Sequence, residues 1–480
     1  MLSPDYQDFA KKLKRFLPQE RIVSSYAKRL AFGVDASFYR LVPKIVLMLD
    51  TEEEVIAVLK QAALAKLAVT FRAAGTSLSG QAQSDSILIL LTTSWRDHEI
   101  LALGLKIKLG PGVIGADANK YLLPYGRKIG PDPASINTCK VAGIAANNAS
   151  GMCCGIAHNS YQTLSSMTLI LADGTILNTE DENSREQFRN QHPELLATLS
   201  ELSKQVQSDT ELSNLIRKKY RLKNTTGYSI NALLDYQEPI DILQHLMIGS
   251  EGTLGFIADI TLNTISEQAH KATELVFFKS IAEACEAVTA LKQFDVSAVE
   301  LIDRPGLHAV AHLPGMPESA PNFDDGVTAL LIEISADTVA LLEHRVEQVV
   351  AQLLAWQTLQ PVNFHSQRAK SEQLWAIRKG LFPAVGAVRE IGTTVIIEDV
   401  AFPIEQLAQG VADLHRLLRK YGYSEAVIFG HALDGNLHFV FTQSFSAPED
   451  IQRYSEFMDE LATLVAVEYG GSLKAEHGTG

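Results

Sequence analysis

Apolar and polar positions alternate with two different textures along the chain. An unbroken apolar run of strand length, Ile45–Leu49, comes first, and Val55, Val58, Leu59 and Ala62 then recur at helical spacing. Thr51 and Glu54 open that helix as a Thr-x-x-Glu capping box, whose side chains answer N–H groups left unpaired in the first turn. Strand runs return at 69–71, 87–91 and 107–109, the last leading into a helix over about 116–123. Apolar stretches 169–171 and 175–177, joined through Asp173-Gly174, predict a hairpin. Residues 182–223 are polar with helical periodicity, which predicts an excursion at the surface. After Thr264 short strands (273–278, 327–334, 393–397, 426–429, 437–441) alternate with amphipathic helices over 282–292 and 338–354. The first half therefore reads as α/β, and the second as a separate α+β domain with a boundary near residue 265.

A chain of 480 residues has room for two or three domains. Acidic residues outnumber basic ones, 56 to 42, for a net charge of −14, and such a surface repels nucleic acid. No apolar run approaches the roughly 18 residues of a membrane helix, and the N-terminus lacks the basic and apolar blocks of a secretion signal. Four cysteines without CxxC spacing predict reduced thiols and a cytoplasmic protein. Cys153 and Cys154 are read as packing residues.

Candidate chemistry concentrates at a few places. The loop Arg72-Ala73-Ala74-Gly75-Thr76-Ser77-Leu78-Ser79-Gly80-Gln81 lies between two strands with no helix after it. Its small side chains and consecutive N–H groups suit an anion nest for a diphosphate, or a plain glycine-containing connection. Walker chemistry is excluded, because no Gly-Lys-Ser/Thr follows. Gly110-Pro111-Gly112-Val113-Ile114-Gly115 is formally GxGxxG, but Gly130-Pro131-Asp132-Pro133 breaks the strand that a Rossmann unit needs next. The run 141–151 has almost no bulky side chains, as where a backbone lies close to a ligand. Asp434-Gly435 predicts a two-residue hairpin loop that pairs His431 with His438 on one sheet face, where two imidazoles can grip a divalent cation. Two ordinary surface histidines are the alternative. Near the end, Glu476 could complete a His-His-Glu metal set and His477 could serve as a base, or both could sit in a charged surface turn. Arg378 lies on an amphipathic helix, where only context would promote it to a carboxylate clamp.

In their order, these motifs resemble those of FAD-linked oxidoreductases with a vanillyl-alcohol-oxidase (PCMH-type) FAD domain, in the D-2-hydroxyacid dehydrogenase branch. The likeness runs from about Val23 onward and is nearest to the flavin half of bacterial FAD/iron–sulfur D-lactate dehydrogenases. It implies an α+β fold: a two-subdomain PCMH-type FAD-binding domain (1–265), an α+β cap domain with an antiparallel, ferredoxin-like sheet (266–465), and the start of a segment returning to the FAD domain (466–480). FAD is then expected at Arg72, Ala73, Ala74, Gly75, Thr76, Ser77, Gly80, Gln81, Pro131, Asp132, Ser135, Gly143, Asn148, Ser150, Gly151, Gly252 and Ile257. The resemblance assigns His431, His438 and Glu476 to a divalent metal, zinc or manganese, His477 to the general base, and Arg378 to the substrate carboxylate. Relatives that tether FAD often use a histidine where Thr76 stands, so binding here is expected to be noncovalent. Alanines replace glycines at 73, 74 and 142, which would strain the loops if those positions need positive φ.

Phe382, Ile397 and Val440 stand where D-2-hydroxyglutarate enzymes carry threonine, lysine and asparagine. This favours D-lactate as substrate, with D-2-hydroxyglutarate as the alternative, or a flavin-binding subunit or fragment inactive alone. The family continues past His477-Gly478-Thr479-Gly480 into cysteine-rich iron–sulfur clusters that this chain lacks, so a fragment or split gene product is expected. A quinone, a cytochrome or an iron–sulfur domain or subunit would accept the electrons, in the cytoplasm or peripherally at the inner membrane.

Overall fold

The computed structural model describes residues 2–479. Two compact units divide the chain. One comprises the residues up to Arg221, Thr225–Glu267 and the stretch from Glu476 on; the other comprises Leu222–Asn224 and Gln268–Ala475.

The first unit carries two sheets. Three parallel strands, ordered Ile45–Leu49, Ile87–Leu91, Val69–Arg72, are joined at one edge by antiparallel Ile22–Val23. The first two are almost wholly buried, which is why they read as unbroken apolar runs. Helix Glu52–Ala65 follows the first strand and buries Val55, Val58, Leu59 and Ala62. Only half of the expected capping box forms. Thr51 accepts from the Glu54 N–H at 3.3 Å, but the Glu54 carboxylate takes the Asp50 N–H at 2.7 Å and binds Arg21 through both oxygens. Strand Phe256–Ser266 organises the second, antiparallel sheet by pairing with Lys106–Leu109, Leu164–Ile170 and Arg127–Ile129. The predicted hairpin is there as Leu164–Ile170 with Ile176–Asn178. The polar excursion folds as helices Glu182–Gln191, Pro193–Ser208 and Thr210–Lys219. Helix Val141–Asn147 occupies the small-residue run, where the sequence offered too few bulky side chains to reveal a helical face.

The second unit is α+β, built on a six-stranded sheet in which every pairing is antiparallel. The strand order is His270–Phe278, Thr328–Ala336, Ala298–Ile302, Val427–His431, Asn436–Ser444, Thr393–Ala401. Strand Ala298–Ile302 is fully buried at the middle and was not among the predicted strands. Directly paired residues share a sheet face, so the register puts Leu275, Leu331, Glu300, Phe429, His431, His438, Val440, Ile397 and Asp399 on one side. Helix Arg368–Ala387 covers that side with Leu374, Ile377 and Leu381. Lys223, with its side chain 1% exposed, is held in this unit by Asp434 at 3.1 Å.

The predicted hairpin register is corrected by two residues. A tight turn, Ala432–Asp434, is closed by Gly435 at φ +64, and His438 pairs with Phe429 rather than with His431. A shift of two keeps every side chain on its face, whereas a shift of one would have turned the histidines apart.

Candidate functional site

In the first unit the structure gathers the glycine-rich segments around the 72–81 loop. Arg72 anchors the loop from inside, donating to the Ala82 carbonyl at 2.8 and 2.6 Å and to the Val34 carbonyl at 3.2 Å. Among the described residues, none of the backbone N–H groups from Ala74 to Ser79 donates to a protein acceptor. A row of unused donors on a loop of small side chains is what a diphosphate requires, so these residues fit the pyrophosphate of a dinucleotide. Gly75 (φ +72) and Gly80 (φ +84) supply the turns that form the row. Ala73, Ala74 and Ala142 have no positive φ, so alanine is unstrained at all three. Gly143 brings its helix against the loop: a Cβ there would stand 3.2 Å from that of Ala73.

The other expected cofactor residues divide into two groups. Asp132 and Gly151 are locked together, since a Cβ on Gly151 would fall 1.9 Å from the Asp132 carbonyl oxygen. The Asp132 carboxylate also takes the N–H groups of Cys153 and Cys154 at 3.0 and 3.1 Å, leaving Cys154 buried and Cys153 exposed. Pro131 is buried in that same connection, and Gly252 (φ +75) would leave a Cβ in open space. Ser150 reaches Glu476 at 3.2 Å. Asn148 caps its helix at φ +55 and accepts the Tyr161 N–H at 3.1 Å. The Ser135 carbonyl takes the Thr138 and Cys139 N–H groups, and Ile257 pairs with Leu169 within the core, so both bear on the fold around the loop.

Glu476 and His477 belong to this unit, in a turn held by several contacts. Gln81 donates to the His477 carbonyl at 2.7 Å, and the Gly478 N–H donates to Thr225 at 3.0 Å. Glu251 faces the same turn and accepts from Asn147 at 2.8 Å and Gln81 at 3.4 Å. Burial pushes the Glu251 carboxyl up to about 7 in spite of those hydrogen bonds. Glu251 and Asn147 were not singled out from the sequence, where each reads as an ordinary loop or helix polar residue. Gly480, the last residue of the His-Gly-Thr-Gly motif, lies outside the described residues.

In the second unit a polar chain crosses the otherwise apolar sheet face. Glu300, fully buried, binds the Arg378 Nε at 2.6 Å through one oxygen and the His431 Nδ1 at 2.6 Å through the other. Burial pushes its carboxyl up, but His431 and Arg378 outweigh that and hold it down at about 2. An ionised carboxylate only accepts, so His431 carries a proton on Nδ1. His431 Nε2 stands 3.4 Å from His438 Nε2. Two nitrogen ligands at about 2.05 Å on a tetrahedral cation lie about 3.3 Å apart, so the pair fits a shared metal as well as a shared proton. Asp399 pairs with His438 across the next strand, and their ligand atoms lie within 4.8 Å of each other.

Arg378 is 9% exposed, with its guanidinium over the Phe429 ring at 4.4 Å. Among the described residues no acceptor meets its Nη1 or Nη2, so the planar fork that grips a carboxylate is left open. Arg378 and both histidines were singled out from the sequence, and Glu300, which joins them here, was not. The available signal was a lone acid inside the apolar run Ala298-Val299-Glu300-Leu301-Ile302.

Residues 43–180 match the FAD binding domain family, and residues 267–480 match the C-terminal domain of FAD linked oxidases. The chain is 25% identical over 497 residues to the D-2-hydroxyglutarate dehydrogenase of Haemophilus influenzae, covering 96% of this chain and 46% of that protein. It thus spans about half the length of such relatives. It is 24% identical over 486 residues to the glycolate oxidase subunit GlcD of Bacillus subtilis, covering 99% and 89%. To the mitochondrial D-lactate dehydrogenase (cytochrome) of Arabidopsis thaliana it is 23% identical over 481 residues, covering 99% and 73%. Among solved structures, p-cresol methylhydroxylase with substrate bound superposes with a TM-score of 0.68 at 14% identity over 99% of this chain and 90% of that one. That likeness shows the fold. No described helix is long and apolar enough to cross a membrane.

Proposed function

We propose that this chain, whose two segments match an FAD binding domain and the C-terminal domain of FAD linked oxidases, oxidises a small D-2-hydroxyacid to the 2-oxoacid, with D-lactate preferred to D-2-hydroxyglutarate. The open fork of Arg378, on the same sheet face as the histidine pair, carries this reading. Oxidation of such a substrate needs its carboxylate fixed, its hydroxyl deprotonated and its C2 hydride removed. Noncovalent FAD bound along the 72–81 loop would take the hydride, and a divalent cation on His431, His438 and Glu476 would make the hydroxyl more acidic. Arg378 binds the carboxylate through Nη1 and Nη2, which fixes the face of C2 that is presented. His477 takes the hydroxyl proton on an imidazole nitrogen. Phe429, whose ring lies under the guanidinium, keeps water from that side of the clamp.

The D-lactate preference rests on the sheet face that the Arg378 helix covers. Val440 is fully buried and paired with Ile397, while Lys379 and Arg389 on the covering helix and just beyond it are exposed. A second carboxylate brought beside Val440 and Ile397 would lack a partner, at a cost of several kcal/mol. D-2-hydroxyglutarate is the second reading, favoured by the names of the relatives that the chain half covers. The GlcD relative, named as a subunit, supports a third, in which a partner chain is needed for turnover and passes electrons to a quinone, cytochrome or iron–sulfur acceptor. Rapid-mixing measurement of flavin reduction tests the first two. Faster reduction per unit concentration by D-lactate is expected, with chelator abolishing it. A ratio favouring D-2-hydroxyglutarate overturns the pocket argument, and unchanged reduction after chelation removes the metal.

A further inference from the structure

Two requirements of the proposed site meet in one side chain that neither the motifs nor the relatives' names point to. A carboxylate clamp works only if the guanidinium fork is aimed, and an imidazole ligates only if its proton is on the other nitrogen. Glu300 stands at both places, 2.6 Å from Arg378 Nε and 2.6 Å from His431 Nδ1. It sits at the middle of a strand whose five residues are all buried, so its position is fixed by the sheet. Arg378 arrives from the covering helix and His431 from the neighbouring strand, so no local geometry would otherwise relate them.

We infer that Glu300 is a positioning residue that couples substrate-carboxylate binding to the histidine pair. Its Oε2 holds Arg378 by Nε, so the Nη1/Nη2 edge faces the ligand. Its Oε1 keeps the His431 proton on Nδ1, so the Nε2 lone pair faces His438. The inference rests on the proposed function and deepens it: the ligand class is a small monocarboxylate read by Arg378 next to a cation read by His431.

Glu300→Gln keeps the length of the side chain but has a single acceptor oxygen, so its amide N–H groups confront one of the two donors. In the full chain loaded with FAD, the KM for D-lactate should rise about tenfold or more, and the Kd for Mn2+ should rise about 10- to 100-fold. Flavin content should not change. A folded Glu300→Gln protein with wild-type KM and wild-type Mn2+ affinity overturns the coupling. Should that variant fail to fold, NMR of the wild-type chain with 15N-labelled histidine decides: His431 protonated at Nδ1 supports the inference, and protonation at Nε2 overturns it. Failure of the underlying reading looks different. His431→Ala and Arg378→Met proteins that are reduced by D-lactate at the wild-type rate would remove the proposed function and the coupling with it. Inactive His431→Ala and Arg378→Met beside an unaltered Glu300→Gln removes the coupling alone.

Discussion

Arg378→Met probes the second unit's polar chain through stability as well as activity. The substitution removes the cation beside a carboxylate that has no solvent contact, and it also removes the contact with the Phe429 ring. Breaking one partner of a buried ion pair costs about 3–5 kcal/mol, because the remaining charge stays unpaired. His431 remains hydrogen-bonded to the other oxygen, which places the expected loss near the low end, about 3 kcal/mol. In a unit of this size each kcal/mol moves the melting temperature by about 2–4 °C, so a fall of about 6–12 °C is expected. Adding Glu300→Leu should restore about 1–2 kcal/mol of it, since an apolar pair of similar volume is close to neutral at such a site. The residual deficit, about 1–2 kcal/mol, is the His431 Nδ1–H left without its acceptor. Urea unfolding followed by circular dichroism at saturating FAD measures all four proteins of the cycle. Destabilisations that add within about 0.5 kcal/mol would refute the reasoning, because additivity means that the two side chains do not interact. Activity should part company with stability: in the double variant flavin reduction by D-lactate should stay down by about 100-fold or more, since two charge-assisted hydrogen bonds to the substrate are gone.

Gly478→Ala puts a Cβ 2.1 Å from the Glu251 carboxylate at a φ of +71, so the Glu476-His477 turn should lift off. Turnover should fall with little change in the melting temperature, and wild-type turnover would count against the assignment of His477. Glu251 titrates near 7 when folded against an ordinary 4.5, so the folded chain holds the extra proton between those values. Stability contributed below pH 4.5 is therefore lost as pH rises towards and through 7, with a ceiling of about 3 kcal/mol. Glu251→Gln should match wild type at pH 4.5 and melt higher at pH 8; a constant difference across that range would refute this. Thr76 offers no imidazole for a flavin bond, so acid precipitation should leave the yellow colour in the supernatant, and a yellow pellet would show a covalent link.

The parts of this fold that were legible in the sequence are those that obey one local rule. Ile45–Leu49 and Ile87–Leu91 are buried on both faces and read as continuous apolar runs. Thr51 caps the helix that follows it, and the amphipathic stretches 282–292 and 338–354 form as helices Ile281–Leu291 and Val339–Leu353. Legibility failed where a tertiary partner overrides the local rule. The Asp434-Gly435 pair called for a two-residue loop, yet the chain takes a longer turn in which Asp434 is engaged by Lys223. Lys223 comes from a segment that the polar texture of 182–223 assigned to the surface, and no sequence pattern announces such a distant partner. Helix Val141–Asn147 was hidden because Ala and Gly at most positions erase the contrast on which helical periodicity depends. Strand Ala298–Ile302 was hidden by Glu300, since an acid in a five-residue apolar run breaks the very pattern that would reveal a buried strand.

That last failure falls at the candidate site. Replacing a buried ion pair with apolar residues of similar volume is commonly neutral or stabilising, so stability alone gives no reason for Glu300, Arg378 and His431 to lie under a helix on an otherwise apolar face. What the arrangement does provide is orientation. With Nε held by Glu300, the guanidinium turns its two remaining nitrogens outward as a pair, and with Nδ1 held, the imidazole presents a lone pair on Nε2. Either side chain alone on an exposed strand or helix would sample many rotamers and would offer its donor or its lone pair only part of the time. Fixing both from one fully buried carboxylate would set the distance between the proposed anion-binding edge and the proposed cation-binding nitrogen, and a 2-hydroxycarboxylate, with an anionic end one carbon away from an oxygen that can ligate a metal, is a ligand that would use both at once.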